Sequence, residues 1–118
     1  MTRTDAIAEL KEALGPVAER PLLEEPGITL VIIETRQQVP GSEQTTQVAF
    51  KLPADITSRP PHFVEPHLVL PNGGQPNNAS NQELAGRVWK TWSMATPWDP
   101  QRHTLSQLVD TVVKQWDR

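Results

Sequence analysis

The chain has 118 residues, a formal net charge of −3 and no cysteine. This length suffices for one domain with a single modest core, so residues 1–118 are expected to form one unit. Without cysteine there is no disulfide, no cysteine-based zinc site and no thiol nucleophile. The acidic balance without a basic stripe argues against nucleic-acid binding. No long apolar run follows the first residues, so we expect no signal peptide, no membrane span and a cytoplasmic location.

The N-terminal segment predicts a helix. Thr4 is a capping residue, and apolar side chains recur at helical spacing until about Leu14. Gly15-Pro16 then ends the pattern. Residues 20–27 are rich in proline and glutamate, and a short edge strand is expected within them.

Two strands are predicted next. Residues 28–35 (ITLVIIET) are apolar on both faces, which is typical of a central strand covered on both sides. Pro40-Gly41-Ser42 marks a turn. In residues 46–52, apolar and polar side chains alternate, which indicates a half-buried strand paired with the preceding one.

The middle of the chain is rich in proline. Residues 62–70 predict a short strand that is broken at Pro66, and a proline inside it favours an edge position or a bulge. Residues 70–83 (LPNGGQPNNASNQE) predict a long irregular loop. Loops of this length inside a compact domain are usually functional or mobile.

The last element is the best specified. Thr104 followed by Gln107 is a capping box, and the apolar residues after it form one helical stripe: Leu105, Leu108, Val109, Val112 and Trp116. The predicted order is therefore a helix, an antiparallel meander of three or four strands, a long loop and a C-terminal helix. We expect an α+β fold with the helices on one face of the sheet.

Residues 86–108 hold three of the four tryptophans, namely Trp89, Trp92 and Trp98. Each indole can bury a large apolar area, so this stretch is expected to close one side of the core.

Several segments resemble one family. KLPADITSRPPHFVEPHLVLPNGG, GRVWKTWS and WDPQRHTLSQLV follow one another in the order of the prokaryotic ubiquitin-conjugating-enzyme-like family. The resemblance extends from about Leu22 to Trp116. It implies the ubiquitin-conjugating-enzyme fold and a place in a bacterial, cytoplasmic conjugation pathway for a ubiquitin-like protein. The implied partners are that ubiquitin-like protein and a protein similar to its activating enzyme, with no cofactor.

In the family pattern, a glycine lies five residues after an asparagine, and the catalytic cysteine lies eight residues after the same asparagine. In this chain Asn81, Gly86 and Trp89 have that spacing. The position that matches the family cysteine is therefore Trp89, which cannot form a thioester. The resemblance implies that its ring lies beside the asparagine-rich loop.

Ser93 is the candidate nucleophile, which would carry the modifier as an oxyester. A serine hydroxyl reacts poorly unless an oriented base lies within hydrogen-bond reach, and His103 or Asp99 is a candidate for that base. The alternative is a serine that only satisfies a backbone group in a turn. Asn81 is a candidate donor to a developing oxyanion. Its alternative is structural, because asparagine is common in loops.

His62 and His67 invite comparison with a metal site, but they are five residues apart on a strand-like segment and would face opposite sides. Without cysteine or an HExxH motif, no metal site is predicted.

Three functions remain open at the level of sequence. The first is an enzyme of the conjugation pathway with an oxyester on Ser93. The second is a conjugating-enzyme homologue without catalysis, which acts as an adaptor that binds the modifier or its activating enzyme. The third is an unrelated interaction module that shares only the fold. The modifier, its target and a role in antiphage defence stay open as well.

Overall fold

The structure is a computed structural model that describes residues 1–39 and 42–116. Two helices and six strands follow the chain: α1 (Arg3–Leu14), β1 (Val17–Pro21), β2 (Thr29–Val39), β3 (Ser42–Leu52), β4 (His62–Val64), β5 (Ser80–Leu84), β6 (Arg87–Thr91) and α2 (Leu105–Lys114). No helix in these described residues is both long and apolar enough to cross a membrane.

All six strands form one antiparallel sheet in the order β1-β2-β3-β4-β6-β5. The first four strands are a meander, and the β5–β6 hairpin extends it because β6 pairs with β4 through Val64 and Lys90. Both helices pack on the same sheet face and on each other. The predicted α+β fold with helices on one face is confirmed.

The sheet is larger than the predicted meander of three or four strands because it also includes β5 and β6. The strand predicted over residues 62–70 ends at Val64 and lies between β3 and β6, so of the two predicted alternatives, an edge position or a bulge, the edge position is wrong. Pro66 lies beyond the strand and therefore removes no ladder hydrogen bond. Residues 80–83, the end of the predicted loop, belong to edge strand β5, because pairing with β6 stabilises a polar segment that has no apolar pattern of its own.

The N-terminal helix begins earlier than predicted. Thr2, not Thr4, is the cap, and its hydroxyl accepts a hydrogen bond from the Asp5 N–H at 3.1 Å. Gly15, with φ of 100°, ends the helix as expected. The short edge strand expected within residues 20–27 begins earlier, as β1.

The predicted strands of residues 28–35 and 46–52 are the paired strands β2 and β3. The predicted turn at Pro40-Gly41-Ser42 falls on Pro40 and Gly41, which lie outside the described residues.

The sheet separates two apolar clusters. The helix-face cluster joins both helices to β2, β3 and β4, and includes Val31, Phe50 and Leu108. The outer-face cluster lies on the other side and consists of the buried residues Leu22, Leu30, Ala49, Phe63 and Trp89. Both faces of β2 are thus buried, as its apolar sequence predicts. Burying each large side chain stabilises the fold by roughly 1.5–3 kcal/mol.

The C-terminal helix has the start and the stripe that the sequence predicts. The Thr104 hydroxyl accepts the Gln107 N–H at 3.2 Å, and the Gln107 side chain accepts the Thr104 N–H at 2.8 Å. All five predicted stripe residues are buried. Glu9 of α1 accepts hydrogen bonds from the Ser106 N–H and hydroxyl, which fixes the start of α2 against α1.

Candidate functional site

Ser93 lies on the rim of a groove of about 470 Å³. The groove runs between the loop that precedes β5 and the segment that follows β6, and Gln115 at the end of α2 also lines it. The lining residues from the two segments are Leu70, Gln75, Pro76, Asn77, Trp92, Ser93, Met94, Ala95 and Thr96. We refer to it as the Ser93 groove. The Ser93 N–H donates to the Asn77 carbonyl at 3.1 Å, so the two segments are joined at this point.

Alternation along an extended backbone points Ser93 outward. Trp92 and Met94, on either side of it, are buried in the helix-face cluster, whereas Ser93 is exposed. The Trp92 ring contacts the edge of His62 at a centroid distance of 4.3 Å and that of Trp116 at 5.0 Å. Packing of Trp92 therefore fixes the backbone that presents the Ser93 hydroxyl to solvent.

The side-chain partner of Ser93 is Asn78. The Asn78 Nδ2 donates to the Ser93 Oγ at 3.2 Å. Asn78 has a φ of 56°, a left-handed conformation that asparagine tolerates better than most residues. The sequence contains four asparagines in this loop, and nothing in their spacing distinguishes Asn78 from the others. This contact is therefore a product of the tertiary structure.

His103 and Asp99, the candidate bases, belong to a separate turn. The Asp99 N–H donates to the His103 Nδ1 at 2.9 Å, and the Asp99 carboxylate accepts the Gln101 N–H at 2.9 Å. Trp98 closes the same turn through its indole N–H, which donates to the Thr104 carbonyl at 2.9 Å. Among the described residues, neither His103 nor Asp99 forms a hydrogen bond with Ser93, so the hydroxyl lacks an adjacent base.

Asn81 lies on β5, opposite Lys90 in the register of the hairpin. It is exposed and lines a second groove, also of about 470 Å³, together with Asn78 and Lys90. The structure thus brings Asn78 rather than Asn81 to the Ser93 hydroxyl.

Trp89 lies on the opposite side of the sheet from these grooves. It is 1% exposed and belongs to the outer-face cluster, whereas its neighbour Lys90 faces the helices. The Arg87 guanidinium covers the ring at 4.1 Å from its centroid. The expectation that the Trp89 ring lies beside the asparagine loop is therefore wrong. Consecutive residues of a strand point to opposite faces, and the pairing of β6 with β4 determines which face Trp89 takes.

Lys90 is a buried cation that the sequence analysis did not single out. Burial lowers the pKa of its amine, and its Nζ donates to the Leu68 carbonyl. The Nζ also lies 5.6 Å from the centroid of the Trp116 ring, which offers a further favourable interaction for a cation. The surrounding sequence, VWKTW (residues 88–92), gives no signal that a lysine, rather than an apolar residue, faces the helices.

The two histidines considered as metal ligands lie in different environments. His62 is buried in β4, and burial together with the nearby charge of Arg59 lowers its pKa to about 4, although a hydrogen bond with the Trp92 backbone partly opposes this effect. His67 is exposed in the turn after the strand. In the described part of the chain, no three side chains of histidine, aspartate or glutamate are grouped to hold a metal ion.

Comparisons with protein-family models, with curated proteins and with solved structures find no match. Function is therefore inferred from the arrangement of the side chains and from the sequence pattern. The Ser93 groove has an exposed hydroxyl, amide side chains and an apolar floor, but no base or metal ligand set among the described residues. The hydroxyl, the amides and the apolar floor are groups that are able to contact a bound polypeptide segment.

Proposed function

We propose that this protein is a ubiquitin-conjugating-enzyme-like component without catalysis, which binds the ubiquitin-like protein or the activating-enzyme-like protein of a bacterial conjugation pathway. The observation that carries the proposal is the state of Trp89, the residue that the family's sequence spacing sets in place of the cysteine. Trp89 is 1% exposed, packed among Leu30 and Phe63 and covered by Arg87. A side chain in this position has neither the chemistry nor the access that transfer of a modifier requires.

The order of elements supports the family assignment. A helix, an antiparallel sheet and a capped helix that packs on the same sheet face follow one another as the resemblance implies. The three motif segments extend from the last residues of β3 into the first half of α2. Two of them contribute core residues that contact each other, His62 and Trp92, and Trp92 also contacts Trp116.

The Ser93 groove is the proposed binding surface. The buried side chains of Trp92 and Met94 form an apolar floor, and the amides of Gln75 and Asn77 line the wall. Such a groove suits an extended peptide segment with small side chains, whose backbone groups would find amide partners along it.

A second function is kept because one observation favours it. The Ser93 hydroxyl is exposed and receives a hydrogen bond from Asn78 at 3.2 Å. A modifier held as an oxyester on Ser93 is therefore sterically accessible. No side chain in residues 1–39 or 42–116 places a base in hydrogen-bond contact with this hydroxyl, and for this reason the adaptor is the leading proposal.

One reconstitution separates the two functions. The protein is mixed with ATP and with a ubiquitin-like protein and an activating-enzyme-like protein of such a pathway, and the products are resolved on denaturing gels with and without thiol reductant. For the adaptor we expect a complex in size-exclusion chromatography and no covalent product that contains this chain.

Ser93→Ala is the matched variant. An adduct that resists reductant, is cleaved by mild base and disappears in Ser93→Ala would replace the adaptor by the oxyester carrier. Absence of both binding and adduct would refute the two together. Binding that is lost on Ala95→Arg, which places a bulky charge in the groove, but kept in Thr57→Arg, at an exposed site away from it, would identify the groove as the docking surface.

A further inference from the structure

The sheet has two edges that differ in how they are protected. β1 forms one edge and β5 forms the other. An unpaired strand edge presents N–H and C=O groups that are able to pair with another chain, so proteins commonly block such edges with proline, charge or a covering element.

The β1 edge is blocked. The Leu22 N–H donates to the Ile28 carbonyl, and hydrogen bonding in an antiparallel ladder alternates along the strand. Val17, Glu19 and Pro21 therefore direct their backbone groups away from β2. Pro21 has no N–H, and its ring obstructs the approach of a further strand.

The β5 edge is open. Ala85 (φ 53°) and Gly86 (φ 75°) form a two-residue hairpin loop with both φ values positive, as in a type I′ turn. In such a hairpin the pair that closes the loop, Leu84 with Arg87, is hydrogen bonded, and so is the pair two residues further along.

Asn81 and Glu83 therefore direct their N–H and C=O groups outward. Within the described residues these groups have no hydrogen-bond partner, and the side chains of both residues are exposed. β5 contains no proline and no lysine.

We propose that β5 pairs with β5 of a second copy of this chain, antiparallel and about a two-fold axis at Gln82. This register sets Asn81 of each copy opposite Glu83 of the other. Both outward-facing residues then form ladder hydrogen bonds, and the two six-stranded sheets become continuous.

The strand is self-complementary in this register alone. The Asn81 amide donates to the Glu83 carboxylate of the other copy, a cross-strand pair that occurs twice by symmetry. On the other face, Gln82 meets its own copy, and two amides are able to pair as donor and acceptor.

The alternative registers are weaker. An axis at Glu83 would set two carboxylates directly opposite each other, which is destabilising. An axis at Asn81 would pair Glu83 with Ala79, whose N–H already donates to the Pro76 carbonyl. Charge and hydrogen bonding thus select the register centred on Gln82.

The contact is small, since β5 has five residues. It falls at the low end of interface sizes, so we expect a weak, concentration-dependent dimer rather than an obligate one. Sedimentation velocity on the full chain, from low concentration to about 1 mM, measures it.

Opposite charge changes at one position test the register. Asn81→Glu places a carboxylate opposite Glu83 and is expected to weaken association, whereas Asn81→Lys places an ammonium there and is expected to strengthen it. Because each contact occurs twice, the dissociation constant should change by roughly 2- to 30-fold in each direction. Gln44→Glu and Gln44→Lys, at an exposed position on β3, are controls for net charge and should leave association unchanged.

Amide hydrogen exchange supplies a second readout that needs no variant. The N–H groups of Asn81 and Glu83 should gain protection as the concentration rises, whereas those of Gln82 and Leu84 are already protected by β6. A chain that stays monomeric throughout would overturn the proposal. Association in which Asn81→Glu and Asn81→Lys change the dissociation constant equally would overturn it too. So would a monomer in which the β5 amides gain protection only when an extended peptide is added.

Discussion

At the scale of single residues, the most unusual group is the buried histidine beneath the Ser93 groove. His62 is 4% exposed, and its Nε2 has no hydrogen-bond partner among the described residues. The Nε1 of Trp92, whose ring meets it edge-on, is likewise buried and unpaired there. Each such atom costs roughly 1–3 kcal/mol of desolvation. Packing of the rings must offset that cost, so this cluster fixes the segment that carries Ser93.

His62 makes stability depend on pH. Its pKa is lowered to about 4 from an ordinary 6.5, so the folded protein binds fewer protons than the unfolded chain between these values. Stability from this group is complete above pH 6.5 and is lost as the pH falls toward 4, by up to about 3 kcal/mol. Urea unfolding at pH 7.5 and pH 4.5 measures the difference.

His62→Gln is the control, because glutamine does not titrate and removes this contribution while the carboxylates remain. The loss between the two pH values should therefore be smaller in the variant by about the same 3 kcal/mol. An equal loss in both proteins would show that carboxylates alone cause it. His67→Gln, at an exposed position, should behave as the wild type does.

Trp89 and Ser93 are expected to differ sharply in their effect on stability. Trp89→Ala removes a buried indole from the outer-face cluster and should lower the free energy of unfolding by about 3–5 kcal/mol. Ser93→Ala removes one exposed hydroxyl and should change it by at most about 0.5 kcal/mol. Urea denaturation followed by circular dichroism compares them. A cost above about 2 kcal/mol for Ser93→Ala would assign Ser93 a structural role.

At the scale of elements, two separate sets of hydrogen bonds hold the N-terminus of α2 in place. The Thr104–Gln107 capping box satisfies two backbone donors of the first turn, and Glu9 of α1 satisfies a third, the Ser106 N–H. The capping box is local in sequence, whereas the contact with α1 joins two residues, Glu9 and Ser106, that are 97 positions apart in the chain. The helix thus has a fixed start before its apolar stripe docks.

Loss of the Thr104 cap should lower the free energy of unfolding by about 1 kcal/mol. Thr104→Ala removes the acceptor for the Gln107 N–H and leaves that donor to solvent. Thermal unfolding should then begin at a lower temperature than in the wild type. Thr111→Ala is the matched control, because Thr111 lies inside the helix and only bonds back to the Gln107 carbonyl. An equal loss for both variants would contradict the role of the cap.

At the scale of the whole molecule, one sheet separates and also joins the two apolar clusters. β2, β3 and β4 contribute side chains to both faces: Val31 and Leu30, Phe50 and Ala49, Val64 and Phe63. Because the two clusters share these strands, unfolding of the strands in one cluster would expose the buried side chains of the other. The clusters should therefore unfold together, as single domains of this size usually do.

The indole N–H resonances of Trp89 and Trp116 report on the two clusters separately. In a urea titration by NMR, the native signals of both should disappear with the same midpoint, and that midpoint should match the one from circular dichroism. An earlier loss of the Trp89 signal would mean that the outer-face cluster unfolds on its own.

Local sequence patterns were sufficient to predict the elements whose signals depend only on neighbouring residues. The capping box and apolar stripe of α2 were predicted residue by residue, because a helix start and a 3.6-residue period depend only on neighbours. The burial of β2 on both faces was predicted, since alternation follows from strand geometry, whereas β3, predicted to be half-buried, also buries Ala49 on the outer face. The predicted cap of α1, Thr4, differs from the observed cap, Thr2, by two residues.

The tertiary structure alone decided which residues meet. β4 has three residues and joins β6 through one pair, Val64 with Lys90, and this pairing turns Trp89 toward the outer face and Lys90 toward the helices. It also sets Asn78, rather than Asn81, against Ser93. Such pairings depend on which strand faces become buried, and a shift of one residue exchanges the two faces of a strand. No periodicity within a single segment carries that information.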